Sequence, residues 1–422
     1  MSIFKPADIL LPKNVDFTKW SVVACDQYSS EPEYWERAAK IAGDSPSTLN
    51  IIYPEAYLGE PDPDKRIEDI NDTMQNYIDS GLFKEYADSL IYVRRTQRNG
   101  KVRSGIVGCI DLEAYDFNVG SQSPVRATEG TIISRIPPRQ RIRRNASLEL
   151  PHIIMLIDDR KKEVIEPLKD RLDELETVYD FDLMQDGGHI IGKLLSESEK
   201  ERVITALEQF EDKSEFEAKY GDASVGKSVL AIAVGDGNHS LATAKSCWEE
   251  IKKNLTLQEQ KNHPARYALA EIMNLHDDAL EFEPIHRVIF GVNPEDVKKA
   301  LFEYYPQASE IDNGGQKIVI THQGEESAVY IKDAPTNLAV GTFQKFMDEY
   351  LENNSGEIDY IHGRDSVLNL TKEHGTIGFI FDAMEKNDLF TTVIKDGALP
   401  RKTFSMGEAY DKRFYLEAKK IK

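Results

Sequence analysis

Only three of the 422 residues are cysteine, and Cys25, Cys109 and Cys247 lie far apart. No pair has the spacing of a zinc knuckle or a small disulfide loop. A disulfide framework and a cysteine-based zinc site are therefore excluded, and a reducing compartment is expected. Long apolar runs are missing as well. No stretch approaches the ~18 residues that cross a bilayer, which predicts no membrane partner. Residues 1–17 lack the basic start and apolar run of a secretory leader, so a cytoplasmic location is expected. Positive charge is in short supply: 52 Lys and Arg face 73 Asp and Glu, a net charge of −21. A surface of that sign repels polyanions, and nucleic acid is not an expected partner.

What is present is the composition of a folded protein, with 40% hydrophobic and 30% charged residues. The chain is longer than one hydrophobic core usually serves. Borders near Asp158 and Glu283 would give three regions. These are an N-terminal α+β region with an Arg-rich segment (1–158), a central region (159–283) and a C-terminal α+β region (284–422), packed as one compact unit. Short runs rich in Val and Ile, bounded by Gly, Pro, Asp or Asn, predict strands over 20–25, 90–95, 102–112, 131–136, 152–157, 229–234, 288–292, 318–321 and 328–331. Apolar spacing predicts helices over 163–178, 197–210, 241–253, 265–275, 294–304 and 343–351. Strands and helices mix too irregularly for a doubly wound parallel sheet. The expected fold class is α+β, with mixed sheets and amphipathic helices.

Two glycine-rich segments stand close together. Gly221-Asp222-Ala223-Ser224-Val225-Gly226-Lys227-Ser228 satisfies the letters of a phosphate-binding P-loop. A P-loop, however, follows a strand and opens a helix. This segment follows a charged helical stretch and leads into the apolar run 229–234, so it reads as a turn before a strand. The next motif, Gly235-Asp236-Gly237-Asn238-His239-Ser240, has the right context, with a strand before it and a helix after. Its glycines permit a tight turn, and its amides at a helix N-terminus suit an anion. Asp236 and His239 bring a carboxylate and an imidazole to the same place. The competing reading is a plain strand-to-helix connection capped by Asp236 or Asn238.

The strand–Asp236-Gly237-Asn238-His239-Ser240–helix unit resembles the strand–Asp-Gly-His-His-Arg–helix signature of domain-of-unknown-function family 1015. Other segments are similar to that family in the same order. They are Trp20-Ser21-Val22-Val23-Ala24-Cys25-Asp26, Thr128-Glu129-Gly130-Thr131, Glu283-Pro284-Ile285-His286-Arg287-Val288 and Leu399-Pro400-Arg401-Lys402-Thr403. The central signature is also similar to the strand–turn–helix phosphate motif of the ParB/sulfiredoxin group, which includes free-serine kinases. The resemblance implies serine or phosphoserine as substrate. This sequence departs from the family at two positions: Asn238 stands in place of His, and Ser240 in place of Arg. The lost arginine removes a bidentate phosphate ligand.

One basic stretch interrupts the acidic chain. It carries Arg126, Arg135, Arg139, Arg141, Arg143 and Arg144, with the acceptor Glu129 among them. Arginine's planar fork suits phosphate and carboxylate. Arg126, Arg135 and Arg141 are the preferred anion ligands, whereas Arg143 and Arg144 are expected to face solvent. The alternative is pairing with surface acids. Asp186-Gly187-Gly188-His189 is a second glycine turn, and His189 with His239 and Asp236 would make a chemically sensible metal set, although no ligand spacing supports it. Mg²⁺ accompanying a nucleotide or phosphorylated substrate is the other cofactor considered. His286 and Arg401 complete the candidate residues. A serine or cysteine nucleophile has little support, since there is no G-x-S-x-G elbow.

Together these features point to a phosphoryl-transfer or phosphate-ester hydrolysing enzyme acting on a small anionic molecule. His239 and Asp236 would handle protons, and Gly237, Asn238, Ser240 and the arginines would hold phosphate. A non-catalytic sensor of a phosphorylated metabolite or nucleotide and a metal-dependent hydrolase are the rivals.

Overall fold

The run Tyr267–Asn274 is buried along its whole length, and that decides its conformation. A segment apolar on both faces shows no alternation, so its periodicity suits helix and strand equally well. The expected helix over 265–275 is instead a strand near the middle of a large sheet. The structure, a computed structural model, describes residues 2–118 and 120–422. The chain divides into two units. One comprises residues up to Ala127, Thr131–Leu280 and Gly407–Lys422, and the other Thr128–Gly130 and Glu281–Met406. A border between segments of the two units falls at Leu280. None falls at Asp158, because the strand that ends just before it is hydrogen-bonded on both edges inside the first unit.

The ten-stranded sheet of the first unit contains β1 (Phe4–Lys5), β2 (Ile91–Thr96), β3 (Val102–Asp111), β4 (Tyr115–Asp116), β5 (Val125–Ala127), β6 (Ile154–Ile157), β7 (Glu176–Asp182), β8 (His189–Leu194), β9 (Ile232–Asp236) and β10 (Tyr267–Asn274). The strand order is β7-β8-β2-β3-β10-β6-β9-β5-β4, with β1 also on β3. β6 runs parallel to β10, and β9 runs parallel to β5. The sheet is mixed, and the fold class is α+β as expected. Side chains alternate across the sheet. Ile91, Val93, Val107, Cys109 and Leu269 enter one core with Trp20 and Trp35. Tyr92, Ile106, Ile110, Ala268 and Ile272 enter another with Leu241 and Trp248.

The first unit includes helices α1 (Pro63–Asp79), α2 (Ile136–Arg144), α3 (Glu197–Glu208) and α4 (Asn238–Ile251). The strand expected over 131–136 is absent. Ile133–Arg135 forms a 3₁₀ turn, and α2 follows with prolines in its first turn, which is compatible with helix but not with a sheet ladder. The helix expected over 163–178 is a 3₁₀ segment, Glu166–Glu174, followed by β7 at the sheet edge. The last segment, Gly407–Lys422, returns to the first unit and threads its interior. There buried Arg413 donates to Glu271 (2.8 Å), Glu417 (2.7 Å) and the Pro151 carbonyl (2.8 Å).

The second unit holds a seven-stranded sheet built on β11 (Phe282–Phe290), β12 (Ala308–Ser309), β13 (Gln316–His322), β14 (Glu325–Ile331), β15 (Glu357–His362), β16 (Thr376–Ile380) and β17 (Phe404–Met406). Its order is β12-β14-β13-β16-β11-β15, with β17 also on β11. Helices α5 (Pro294–Tyr304) and α6 (Ala339–Asn353) supply Val297, Leu301, Phe343 and Met347 to its core.

Candidate functional site

β9 ends at Asp236 and α4 begins at Asn238, so Gly237 alone makes the turn. Its φ of +79° lies in the left-handed region, and an added Cβ would come within 3.0 Å of Ile153 Cα. Glycine is required on both counts. No side chain caps α4. The first amide to close a helical turn is that of Leu241, on the Gly237 carbonyl at 3.0 Å. The amides of Asn238, His239 and Ser240 precede it, at the positive end of the helix. Neither Asp236 nor Asn238 acts as the helix cap. Asp236 instead accepts from the Gly237 amide (2.9 Å) and pairs with Lys412 (3.1 Å).

His239 Nε2 accepts the Ile132 amide proton at 3.2 Å, so in the neutral ring the remaining proton sits on Nδ1. Burial, reinforced by the charges of Arg139 and Arg135, pushes its pKa down to about 4. The imidazole is therefore neutral near pH 7. Of the preferred arginines only Arg135, whose side chain is exposed, acts on this histidine. Arg126 does not serve as an anion ligand here. It is buried and donates to the carbonyls of Ser123 (2.7 Å), Ser228 and Val229 (both 2.8 Å). Burial lowers its pKa to about 10. Arg141 pairs with Asp64 in the first turn of α1. Arg139, not among the preferred three, pairs with Glu55 beside the site. Arg143 does not face solvent but bonds the buried Glu149 at 2.5 Å, while Arg144 reaches Glu250 at 3.2 Å near the surface.

Ser240 opens a hydrogen-bonded chain that the sequence alone did not reveal. Its Oγ lies 3.0 Å from His152 Nε2, and His152 Nδ1 lies 2.7 Å from the Tyr415 hydroxyl. That hydroxyl donates to Cys25 Sγ (3.1 Å) and accepts from the Cys25 amide (3.3 Å). Burial pushes the Cys25 thiol up to about 12 and the Tyr415 phenol well above its ordinary range, so both keep their protons. Burial alone would raise the nearby Asp26 carboxyl, but the His152 imidazole, a bond from Gln27 (3.0 Å) and Lys412 hold it below its ordinary value. Ser240, His152, Cys25 and Tyr415 line a cavity of about 160 Å³ whose other walls include Ile51, Met74, Leu148 and Leu269.

The family model "Protein of unknown function (DUF1015)" matches residues 5–354. The chain belongs to that family. No curated protein sequence matches it. Among solved structures, a free serine kinase in complex with AMP is 11% identical, with 75% of this chain and 92% of that chain covered and a TM-score of 0.37. A conserved hypothetical protein from Pyrococcus furiosus is 11% identical, over 76% and 96% of the two chains, at a TM-score of 0.36. SbnI with C-terminal truncation from Staphylococcus aureus is 9% identical, over 74% and 82%, at a TM-score of 0.35. At this level of likeness no activity passes from those proteins to this member of DUF1015.

Three of the segments that resemble DUF1015 meet inside the second unit. Glu129 bridges to Leu399, and the Leu399 amide donates to the Thr128 carbonyl at 2.7 Å. Buried Arg287 donates to the carbonyls of Ile285 (2.5 Å), Arg401 and Lys402 (both 3.0 Å) and feels the Glu129 charge. Arg401 itself donates to the Tyr360 hydroxyl at 2.8 Å. His286 is buried and accepts the Phe381 amide (3.3 Å). Burial, with the charges of Arg287, Arg364 and His362, lowers its pKa to about 4. His189 lies between Asp182 (2.7 Å) and Asp180 (2.9 Å) on β7. Among the described residues no three His, Cys, Asp or Glu side chains gather as a metal site, so the set His189, His239 and Asp236 does not form. The second glycine turn is structural, because a Cβ on Gly188 would strike the Thr96 carbonyl oxygen at 2.1 Å. Gly221–Ser224 is a 3₁₀ turn ahead of β9, not the entry to a helix. Among the described residues no helix is long and apolar enough to cross a membrane.

Proposed function

We propose that this DUF1015 protein is a phosphoryl-transfer or phosphate-ester hydrolysing enzyme that binds its anionic substrate at the N-terminus of α4. The observation that carries this reading is the uncapped first turn of α4, where Arg135 and Arg139 add positive charge around His239. Phosphoryl transfer needs mainly positioning and charge neutralisation. The amides of Asn238, His239 and Ser240 supply donors, and the left-handed Gly237 lets the backbone approach closely. His239 Nδ1–H donates a hydrogen bond to the leaving oxygen while the ring stays neutral, and Asp236 keeps Lys412 beside the turn. Serine or phosphoserine as substrate follows from the motif's resemblance to the group that includes free-serine kinases.

One observation favours a second reading, a sensor that binds a phosphorylated metabolite without turnover. A histidine held near pKa 4 by burial and two arginines is a weak proton acceptor at neutral pH. Phosphorus NMR separates the two. The protein is incubated with phosphoserine, and in parallel with serine plus ATP or ADP. Appearance of phosphate or phosphoserine supports the enzyme, whereas shifted ligand resonances without product support the sensor. Neither change would overturn both.

A further inference from the structure

The α4 N-terminus has a second side, and it faces different chemistry. On the cavity side the two cations, Arg139 and Arg143, are already paired with Glu55 and Glu149. With those charges matched and Ile51, Met74, Leu148 and Leu269 on the walls, the space suits an uncharged group. At about 160 Å³ it is comparable to an apolar cavity of ~150 Å³ that takes up benzene.

Ser240 stands at the edge of this space in a specific hydrogen-bonded state. With its proton given to Cys25 Sγ, the Tyr415 oxygen accepts from His152 Nδ1–H, one of the two tautomers the 2.7 Å contact allows. That assignment leaves His152 Nε2 unprotonated, 3.0 Å from Ser240 Oγ, where it can only accept the hydroxyl proton. A hydroxyl on an imidazole that a third group orients is the arrangement of an activated nucleophile.

We propose that Ser240 is a nucleophile, with His152 as its general base and Tyr415 as the positioning residue. The class of substrate is a carboxylic ester whose small apolar acyl group occupies the cavity. Ser240 Oγ bonds to the carbonyl carbon while its proton passes to His152 Nε2. The bond from carbon to the alcohol oxygen then breaks, and the alcohol leaves with the proton from His152. Water attacks the acyl-serine, gives its proton to His152 and releases the carboxylic acid, and the proton returns to Ser240. This activity goes beyond the phosphoryl chemistry proposed above.

The test uses the full chain with p-nitrophenyl butyrate as substrate and a fluorophosphonate as covalent probe. Peptide mapping is expected to place the label on Ser240, and Ser240→Ala is expected to lose both label and p-nitrophenol release at an unchanged melting temperature. His152→Gln should slow release by at least ~10²-fold, the lower range for loss of a general base. Tyr415→Phe, which keeps the ring and removes the oxygen that orients His152, should lower kcat while KM holds. An unlabelled Ser240 in the folded native protein overturns the proposal, whatever the His152 variant does. So does undiminished release by Ser240→Ala, or release from p-nitrophenyl phosphate with none from the butyrate.

Discussion

His239 and Ile132 are joined by a single hydrogen bond, the Ile132 amide to Nε2 at 3.2 Å, which leaves Nδ1–H as the ring's donor. Burial, with the charges of Arg139 and Arg135, lowers the folded-state pKa from 6.5 to about 4. The folded protein therefore binds fewer protons than the unfolded chain between those values. The associated stability is whole above pH 6.5 and falls as pH drops toward 4. Buried His286, also lowered to about 4, acts in the same direction. Melting temperature should decline over this window, with a shallower slope in His239→Asn. An unchanged slope, or a His239 NMR titration midpoint near 6.5, would refute the assignment.

The hydrogen-bonding role of His239 makes a kinetic prediction. His239→Asn should keep the fold and much of the ligand binding while turnover falls by roughly 10²–10³-fold, the range for losing one donor to developing charge. Asp236→Asn retains an acceptor for the Gly237 amide but removes the charge that holds Lys412. Its turnover should fall too, at a nearly unchanged melting temperature. Full activity in His239→Asn would return the turn to a purely structural role.

The arginines separate into two classes. Arg135→Ala should weaken binding of a phosphorylated ligand by ~1.5–3 kcal/mol, the range for hydrogen bonds to charged groups, and Arg139→Ala, whose guanidinium is already paired with Glu55, by less. Arg126→Met should act on stability, because it leaves the Ser123, Ser228 and Val229 carbonyls without their donor. Arg141→Ala breaks a surface pair with Asp64 and should change stability by no more than ~1 kcal/mol. Calorimetric binding measured beside thermal melting checks all four. Normal binding in both Arg135→Ala and Arg139→Ala would remove the anion site from this end of α4.

Arg413 tests the interior of the first unit. Its guanidinium bonds two buried carboxylates, Glu271 and Glu417. Arg413→Met strands both charges and should cost about 3–5 kcal/mol. A denaturant midpoint close to wild type would show that the carboxylates find other partners.

The turn itself is a backbone device. Gly237→Ala places a Cβ at a φ of +79° and 3.0 Å from Ile153 Cα. The left-handed conformation alone should cost ~1–2 kcal/mol. Retained stability with lost ligand binding would show that α4 has shifted its first turn to relieve the contact.

Local patterning settled much of this protein before any packing was known. The α+β class, the exclusion of the P-loop reading and the strand–turn–helix around Gly237 all rest on neighbours within a few residues. Helix α5, expected over 294–304, was legible for the same reason, with Asn293 capping it and a proline in its first turn. The failures lie where neighbours are distant. Tyr267–Asn274 is a strand because sheet partners cover both its edges, and its apolar run could not announce them. The fates of Arg126, Arg139 and Arg141 were set by which carbonyl or carboxylate the fold delivered to each. Ser240 meets His152 across 88 residues and His152 meets Tyr415 across 263. No local spacing encodes such a chain. Which elements pack together is decided by burial summed over the whole unit, and only the tertiary structure carries that sum.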